Sequence, residues 1–147
     1  MNDHSPTTEA LSRLLADSYT LYLKTHNFHW NVTGPMFTTL HTLFETEYTE
    51  LALAVDEIAE RIRALGAVAP GSFSAFRALA KVEEAQGVPK ATDMIRELVA
   101  DQAHVVAAAK EVVKIAEAAG DDATADLGIR RIQVHEKNSW MLASHLE

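Results

Sequence analysis

Apolar residues recur at helical spacing in four long segments of this chain. In the first segment four of them, followed by two histidines, are spaced four or three residues apart, at Leu11, Leu15, Tyr19, Tyr22, His26 and His29. A later segment repeats the pattern with a single polar member, at Ile95, Leu98, Val99, Gln102, Val106, Ala109, Val113 and Ala116. Because such positions share one helix face, the pattern predicts amphipathic helices. The first of them is expected to turn His26 and His29 inward.

Glycine and proline, which disfavour helix interiors, mark where the helices end. We predict that the second helix starts at Pro35, with Thr33 as its cap, and runs about thirty residues before Gly66 stops it. The third helix is predicted to run from Thr92 to just before Gly120. Both helices are therefore expected to be long.

The fourth helix is predicted to begin at Thr124 and to carry Asp126 in its positively polarised first turn. Its apolar pattern continues through Ile132, Trp140 and Leu142. This helix completes a set of four.

The connection from Gly66 to Lys90 is too long to join two neighbouring antiparallel helices. It is therefore predicted to cross the bundle, with a short helix from Ser74 to Lys81. No segment alternates for long enough to support a sheet. The prediction is an all-α, ferritin-like four-helix bundle forming one domain over residues 1–147, with residues 1–8 as a short flexible tail.

Composition narrows the chemistry that this bundle can carry. The chain has 147 residues, a formal net charge of -8 and no cysteine. The absence of cysteine excludes disulfides and thiolate ligands, so any metal must use imidazole, carboxylate, carbonyl or water. The negative charge favours divalent cations over nucleic acid or anionic lipid as partners. Since no stretch resembles a membrane span or a signal peptide, we expect a cytoplasmic protein.

Two pairs of candidate metal ligands lie on the second helix. His41 and Glu45 are four residues apart, and so are Asp56 and Glu60, so each pair can present two donors to one point. Either pair alone is more typical of a solvated helix face. His41 and Asp56 are fifteen residues apart. That separation is about 22 Å along a helix, so the two pairs cannot share a metal within one chain.

An antiparallel dimer of the second helix would bring the two pairs together. If the two-fold axis passes near Glu50 and Leu51, position 41 of one chain comes level with position 60 of the other. His29 is expected to join, because the first helix ends close to the start of the second. Imidazoles and carboxylates with spare coordination positions suit redox-active Fe(II), although zinc also fits chemically. The Glu-x-x-His motif of an intrasubunit di-iron site is absent.

The motifs around these donors resemble those of the Dps family of mini-ferritins. The resemblance extends from about Leu11 to the C-terminus and rests on NFHWNVTG at 27–34, the spacing to His41, DEIAER at 56–61 and HEKNSWML at 135–142. It implies a hollow homododecamer built from two-fold dimers, with ferroxidase sites at the dimer interfaces. It also implies that Fe(II) is oxidised, preferentially by hydrogen peroxide, and stored as Fe(III) mineral.

The resemblance also implies a role for each matching residue. Asp56 and Glu60 would ligate iron from one subunit, and His29 and His41 from the other. Glu45 would lie beside His41, at a position where family members often have Asp. Two further residue assignments follow from the resemblance less directly. Trp30 is either a trap for oxidising equivalents or a core aromatic. The acidic cluster of Glu117, Asp122 and Asp126 either lines an iron-uptake pore or simply caps a helix.

Two other functions compete with the ferroxidase cage. Some relatives compact DNA through basic tails, but residues 1–10 contain Asp3 and Glu9 without Lys or Arg, so DNA binding is not expected. An inert helical scaffold or adhesin-like assembly would not need five spaced metal donors. His4 falls in the predicted tail, and three other histidines lack a second donor at suitable spacing: His104, His135 and His145. His26, which shares a face with His29, is expected to be buried and structural or to support the ligand His29.

Overall fold

The computed structural model describes residues 5–147, and every regular element in that range is helical. The long helices are α1 (Pro6–Asn31), α2 (Phe37–Ala64), α4 (Ala91–Ala118) and α5 (Asp122–Ala143), with the short α3 (Phe73–Leu79) between α2 and α4. A single 3-10 turn, Ser144–Leu146, follows α5. The predicted all-α fold, with four long helices and a short helix in the crossover, is confirmed.

Helix α1 begins inside the segment that we predicted to be a tail. Ser5 caps it by accepting a 3.1 Å hydrogen bond from the Thr8 amide, and Pro6 occupies the first turn, where its missing N–H costs nothing. Residues 6–8 are therefore helical rather than tail. Residues 1–4, including His4, lie outside the described part of the chain.

The predicted start of the second helix was wrong. Pro35 lies in a turn, and α2 begins at Phe37 after Met36, without a side-chain cap. The Phe37 amide instead donates to the Gly34 carbonyl at 3.0 Å, and Gly34 has a φ of +102°, which favours glycine. This tight turn brings the end of α1 beside the start of α2.

The starts of the other helices also differ from the prediction, that of α4 by one residue, at Ala91 instead of Thr92. Helix α5 begins at Asp122, because the Asp121 carboxylate caps it by accepting from the Thr124 amide at 3.0 Å. The acidic residue in the first turn is consequently Asp122, while Asp126 lies in the second turn. Helix α3 runs from Phe73 to Leu79 rather than from Ser74 to Lys81, and the Ser72 hydroxyl caps it.

Buried polar contacts hold the crossover against the bundle. The Asp17 carboxylate on α1 accepts hydrogen bonds from the backbone amides of Lys81 and Val82, at 2.7 and 3.0 Å. Lys24, also on α1, donates to the Glu83 carbonyl at 3.1 Å and lies 2.9 Å from the buried Asp101 of α4. The crossover is thereby fixed along α1 even though it contains only one short helix.

The bundle core contains apolar residues from all four long helices, including Leu11, Leu21, Phe28, Leu40, Phe44, Leu51, Ile58, Ile95, Leu98, Val112 and Leu142. Helices α4 and α5 approach closely at Gly128, where an added Cβ would lie 2.8 Å from Val113 Cγ2 and 3.1 Å from the Ala109 carbonyl oxygen. Within residues 5–147, no helix is long and apolar enough to cross a membrane. Helix α2 buries side chains along its whole length, from Leu40 to Ile62.

Candidate metal centre

His29 and His41 hold each other in place at the junction of α1 and α2. His29 Nδ1 lies 2.7 Å from the His41 carbonyl oxygen, and His41 Nδ1 lies 2.7 Å from the His29 carbonyl oxygen. Because a carbonyl oxygen can only accept, each Nδ1 must carry a proton and donate it. A neutral ring in this tautomer leaves Nε2 with a free lone pair, which is the arrangement that metal-ligating histidines adopt.

Glu45 lies beside this histidine pair. The two imidazole rings stack with their centroids 3.8 Å apart and an interplanar angle of 14°. Glu45 Oε1 is 4.0 Å from His29 Nε2, a separation that lets both atoms contact one ion, since metal–ligand bonds are roughly 2 Å long. The structure therefore brings together three of the five predicted ligands, with Glu45 on the exposed side.

Asp56 and Glu60 form a second, separate group on α2. Both are exposed. A side-chain hydrogen bond with Asp56 and the charge of Asp56 raise the pKa of Glu60, so the two carboxyl groups lie next to each other. Within residues 5–147, no three His, Asp or Glu side chains of one chain are placed to hold a metal ion. Each group of predicted ligands is thus incomplete by itself.

A stack of aromatic rings extends from His29 to the surface. His26 lies between Tyr48 and Trp30, with ring centroids 4.2 and 4.0 Å away, and Tyr48 meets His29 edge-on at 5.1 Å. Trp30 is 58% exposed in the subunit, so its interpretation as a core aromatic was wrong. Tyr48 was missed, although its position three residues after Glu45 was a signal that it shares a face of α2 with that predicted ligand.

The predicted pore residues lie together at one end of the bundle, around the turn from α4 to α5. Glu117, Asp122 and Asp126 are all exposed. Asp126 is not a free charge, because its carboxylate accepts from Arg130 Nε at 3.1 Å, and Arg130 also donates to Glu57 at 2.6 Å. The capping role falls to Asp121 rather than to the three predicted residues.

Comparison with known proteins agrees with this architecture. The family model of the ferritin-like domain matches residues 8–147. The DNA protection during starvation protein of Brevibacillus brevis is 40% identical over 138 residues, covering 93% of this chain and 92% of its own. The crystal structure of a Dps protein from Bacillus brevis superposes with a TM-score of 0.93 at 38% identity, covering 96% of this chain and 95% of the other. The chain belongs to the Dps family.

Other Dps-like relatives extend the comparison. An uncharacterised low temperature-induced protein of Nostoc is 40% identical over 139 residues, covering 93% of this chain and 78% of its own. The Dps structure from Vibrio cholerae, described as a member of a broad superfamily of ferritin-like diiron-carboxylate proteins, has a TM-score of 0.91 at 33% identity, covering 96% and 89% of the two chains. The predicted family and ferritin-like fold are confirmed.

Proposed function

We propose that this Dps-family protein is a cytoplasmic mini-ferritin that oxidises Fe(II), preferentially with hydrogen peroxide, at sites shared between subunits. It stores the Fe(III) mineral in a hollow dodecameric shell and so protects the cell from oxidative damage. The observation that carries this proposal is the presence of two incomplete ligand groups on one subunit. His29 and His41, whose Nε2 atoms are free, lie near the start of α2. The exposed Asp56 and Glu60 lie toward the end of the same helix.

The spacing of the two groups suits an antiparallel pair of α2 helices. His41 and Glu45 have the same four-residue spacing as Asp56 and Glu60, so one register places His41 level with Glu60 and Glu45 level with Asp56 of the other subunit. A two-fold axis repeats the arrangement, which gives two identical sites per dimer.

The surface between the two groups is suitable for such contact. The proposed two-fold axis passes near Leu51, which is fully buried in its own bundle. Contact with the other subunit would therefore be made by exposed side chains next to Leu51 on α2. Thr49, Ala52 and Leu53 are exposed at this level, with Leu53 73% exposed. Small and apolar side chains allow the two helices to approach closely and gain stability from burial.

The proposed reaction consumes iron and peroxide together. Two Fe(II) ions give one electron each to a peroxide molecule, its O–O bond breaks, and two protons convert the oxygen atoms to water. The carboxylates of Asp56 and Glu60 offset the charge of the ions, and the histidines supply nitrogen ligands. Because both Fenton reactants are removed, hydroxyl radicals are not formed. We propose that the Trp30 ring gives up an electron to oxidising equivalents that escape, and its contact with His26, which itself stacks on Tyr48, supports this role.

The proposal is tested by measuring assembly and stoichiometry on one preparation. Light scattering is expected to give twelve times the subunit mass. Anaerobic titration should show Fe(II) binding, and added hydrogen peroxide should oxidise two irons for each peroxide consumed. A stable monomer, or a dodecamer that binds no Fe(II), would contradict the proposal.

The turn between α4 and α5 is proposed as the iron-uptake pore, where copies of Glu117, Asp122 and Asp126 converge and attract cations. Asp126→Asn is expected to slow iron uptake at low Fe(II), because it removes a negative charge without touching the proposed ligands. Stopped-flow oxidation at several Fe(II) concentrations measures this effect. Glu111→Gln, which removes an exposed charge elsewhere on α4, is the control. Equal rates for both variants and the wild type would exclude this pore.

DNA compaction is the alternative function, and we propose that the protein lacks it. A net charge of -8 repels the DNA backbone, and few lysines or arginines are available to displace counterions. We therefore expect no mobility shift of duplex DNA at neutral pH and physiological salt. A shift that weakens as salt is added would show that a local basic surface overcomes the net charge.

A further inference from the structure

A chain of buried hydrogen bonds links three helices inside the bundle. Arg131 on α5 pairs with Glu50 on α2, and its Nη2 also lies 2.9 Å from His135 Nε2. Since a guanidinium can only donate, His135 Nε2 must accept. His135 Nδ1 then carries the proton and donates to Gln102 Oε1 on α4, at 2.6 Å. Every hydrogen bond in this chain therefore has a defined direction.

This series of hydrogen bonds leaves two donor groups that have no acceptor among the protein atoms. Gln102 is fully buried, its Oε1 is used by His135, and its Nε2 has no partner. Arg131 Nε, also buried, has none either. An unpaired buried donor lowers the stability of the folded protein, so two of them in one network call for an acceptor nearby.

Glu47 on α2 is the complementary group. It is 3% exposed, and neither carboxyl oxygen has a hydrogen-bond partner among the protein atoms. Its place in the stripe of Leu40, Phe44 and Leu51 turns it into the bundle rather than toward solvent. Its carboxyl group thus has an unpaired acceptor oxygen, in the same core as two donors without an acceptor.

The helix register places these groups at one level. Helices α2 and α5 run antiparallel with Glu50 opposite Arg131, so Glu47, one turn before Glu50, lies level with His135, one turn after Arg131. Gln102 is bonded to His135 and is at that level too. The α1–α2 pairing agrees, because His29 opposite His41 puts Glu47 level with position 23, two residues from Thr25, whose buried hydroxyl is also unpaired.

We propose that the centre of each four-helix bundle contains a buried water-binding site, in which water accepts from Gln102 Nε2 and Arg131 Nε and donates to the Glu47 carboxyl group. Water fits because it both donates and accepts, and because polar internal sites hold water whereas apolar ones stay dry. A metal ion does not fit, because two of the groups that line the site are donors and one of them carries a positive charge. The site is separate from the proposed ferroxidase centre and does not depend on it.

A high-resolution crystal structure of the assembled protein tests the site directly. Ordered water is expected within hydrogen-bond distance of both Glu47 and Gln102 Nε2. Glu47→Leu, which removes the carboxyl group, should lose this water, whereas Glu47→Gln should keep it through its amide oxygen. A wild-type core without water between these side chains would overturn the proposal.

A double-mutant cycle in urea provides a second measurement. Gln102→Leu is expected to lower the unfolding midpoint of the wild type more than it lowers that of Glu47→Leu, because the shared water has already been lost there. The control pair is Glu47→Leu with Ser18→Ala, whose buried hydroxyl lies roughly 7 Å further along the bundle and should act additively. Additive midpoint shifts for Glu47 and Gln102 would show that no water joins them.

Discussion

Mixing two inactive variants is expected to restore about a quarter of the wild-type ferroxidase sites, because in a two-fold dimer each site takes one ligand group from each subunit. One variant carries His29→Ala and His41→Ala, and the other carries Asp56→Ala and Glu60→Ala. Each variant alone should lose most rapid Fe(II) oxidation, since every site then lacks half its ligands. In a mixed dimer, one site receives both intact groups and the other receives neither. Half of randomly formed dimers are mixed, which gives the expected fraction.

The measurement is peroxide-dependent Fe(II) oxidation after co-refolding, on particles whose mixed composition is verified by mass spectrometry. A control variant, His104→Ala with Glu111→Ala, removes exposed groups of similar chemistry from α4 and should keep full activity. If verified mixed particles remain as inactive as their parents, the ligands do not cooperate across an interface. The iron site would then have to lie within one chain and use other residues. Among residues 5–147, however, no three His, Asp or Glu side chains are placed to hold a metal ion.

Replacing Glu47 by glutamine is expected to stabilise the protein, and to do so more strongly as the pH rises. Burial raises the pKa of Glu47 from 4.5 to about 8 in the folded protein. Below the unfolded pKa both states are protonated and the effect is absent. Between that value and about pH 8 the unfolded chain releases a proton that the folded protein retains, so wild-type stability falls as pH increases. Above this window the loss is constant, at up to about 5 kcal/mol per subunit.

Burial alone raises the pKa of Glu47, and the charged groups of the core are engaged with other partners. Arg131 on α5 is already paired with Glu50, and Lys24 on α1 is paired with Asp101 on α4. Burial and the charge of Arg131 lower the pKa of His135 to about 3, so this ring remains neutral throughout the window. His135 therefore does not titrate in place of Glu47.

Urea unfolding at pH 5, 6.5 and 8, at equal subunit concentration, measures the effect of Glu47→Gln. Equal subunit concentration matters because association of the subunits stabilises the folded state, and this contribution depends on concentration. Glu111→Gln, at an exposed position on the same scaffold, should change little at any pH. A gain for Glu47→Gln that is the same at pH 5 and pH 8 would show that Glu47 is ionised in the folded protein across this range.

Helical periodicity alone determined the fold class, since the apolar repeat is a local property of each segment. It also determined which ligands can act together. A four-residue spacing on one helix groups His41 with Glu45 and Asp56 with Glu60, and their separation along the same helix prevents the two pairs from meeting within one chain. These conclusions needed no knowledge of how the helices pack. The position of Pro35 required that knowledge, because Gly34 closes the turn between α1 and α2 and leaves Pro35 outside the helix.

Only the tertiary structure decided the tautomer of the histidine pair and the exposure of Trp30. The Nδ1 atoms of His29 and His41 find their acceptors on each other's backbone, which depends on how the two helices meet. The burial of Glu47 and Asp101 was also beyond the sequence pattern. A charged residue at helical spacing can face solvent or core, and the choice depends on contacts with helices that are distant in sequence. For Asp101 that contact is Lys24 on α1, whose charge compensates the burial of the carboxylate.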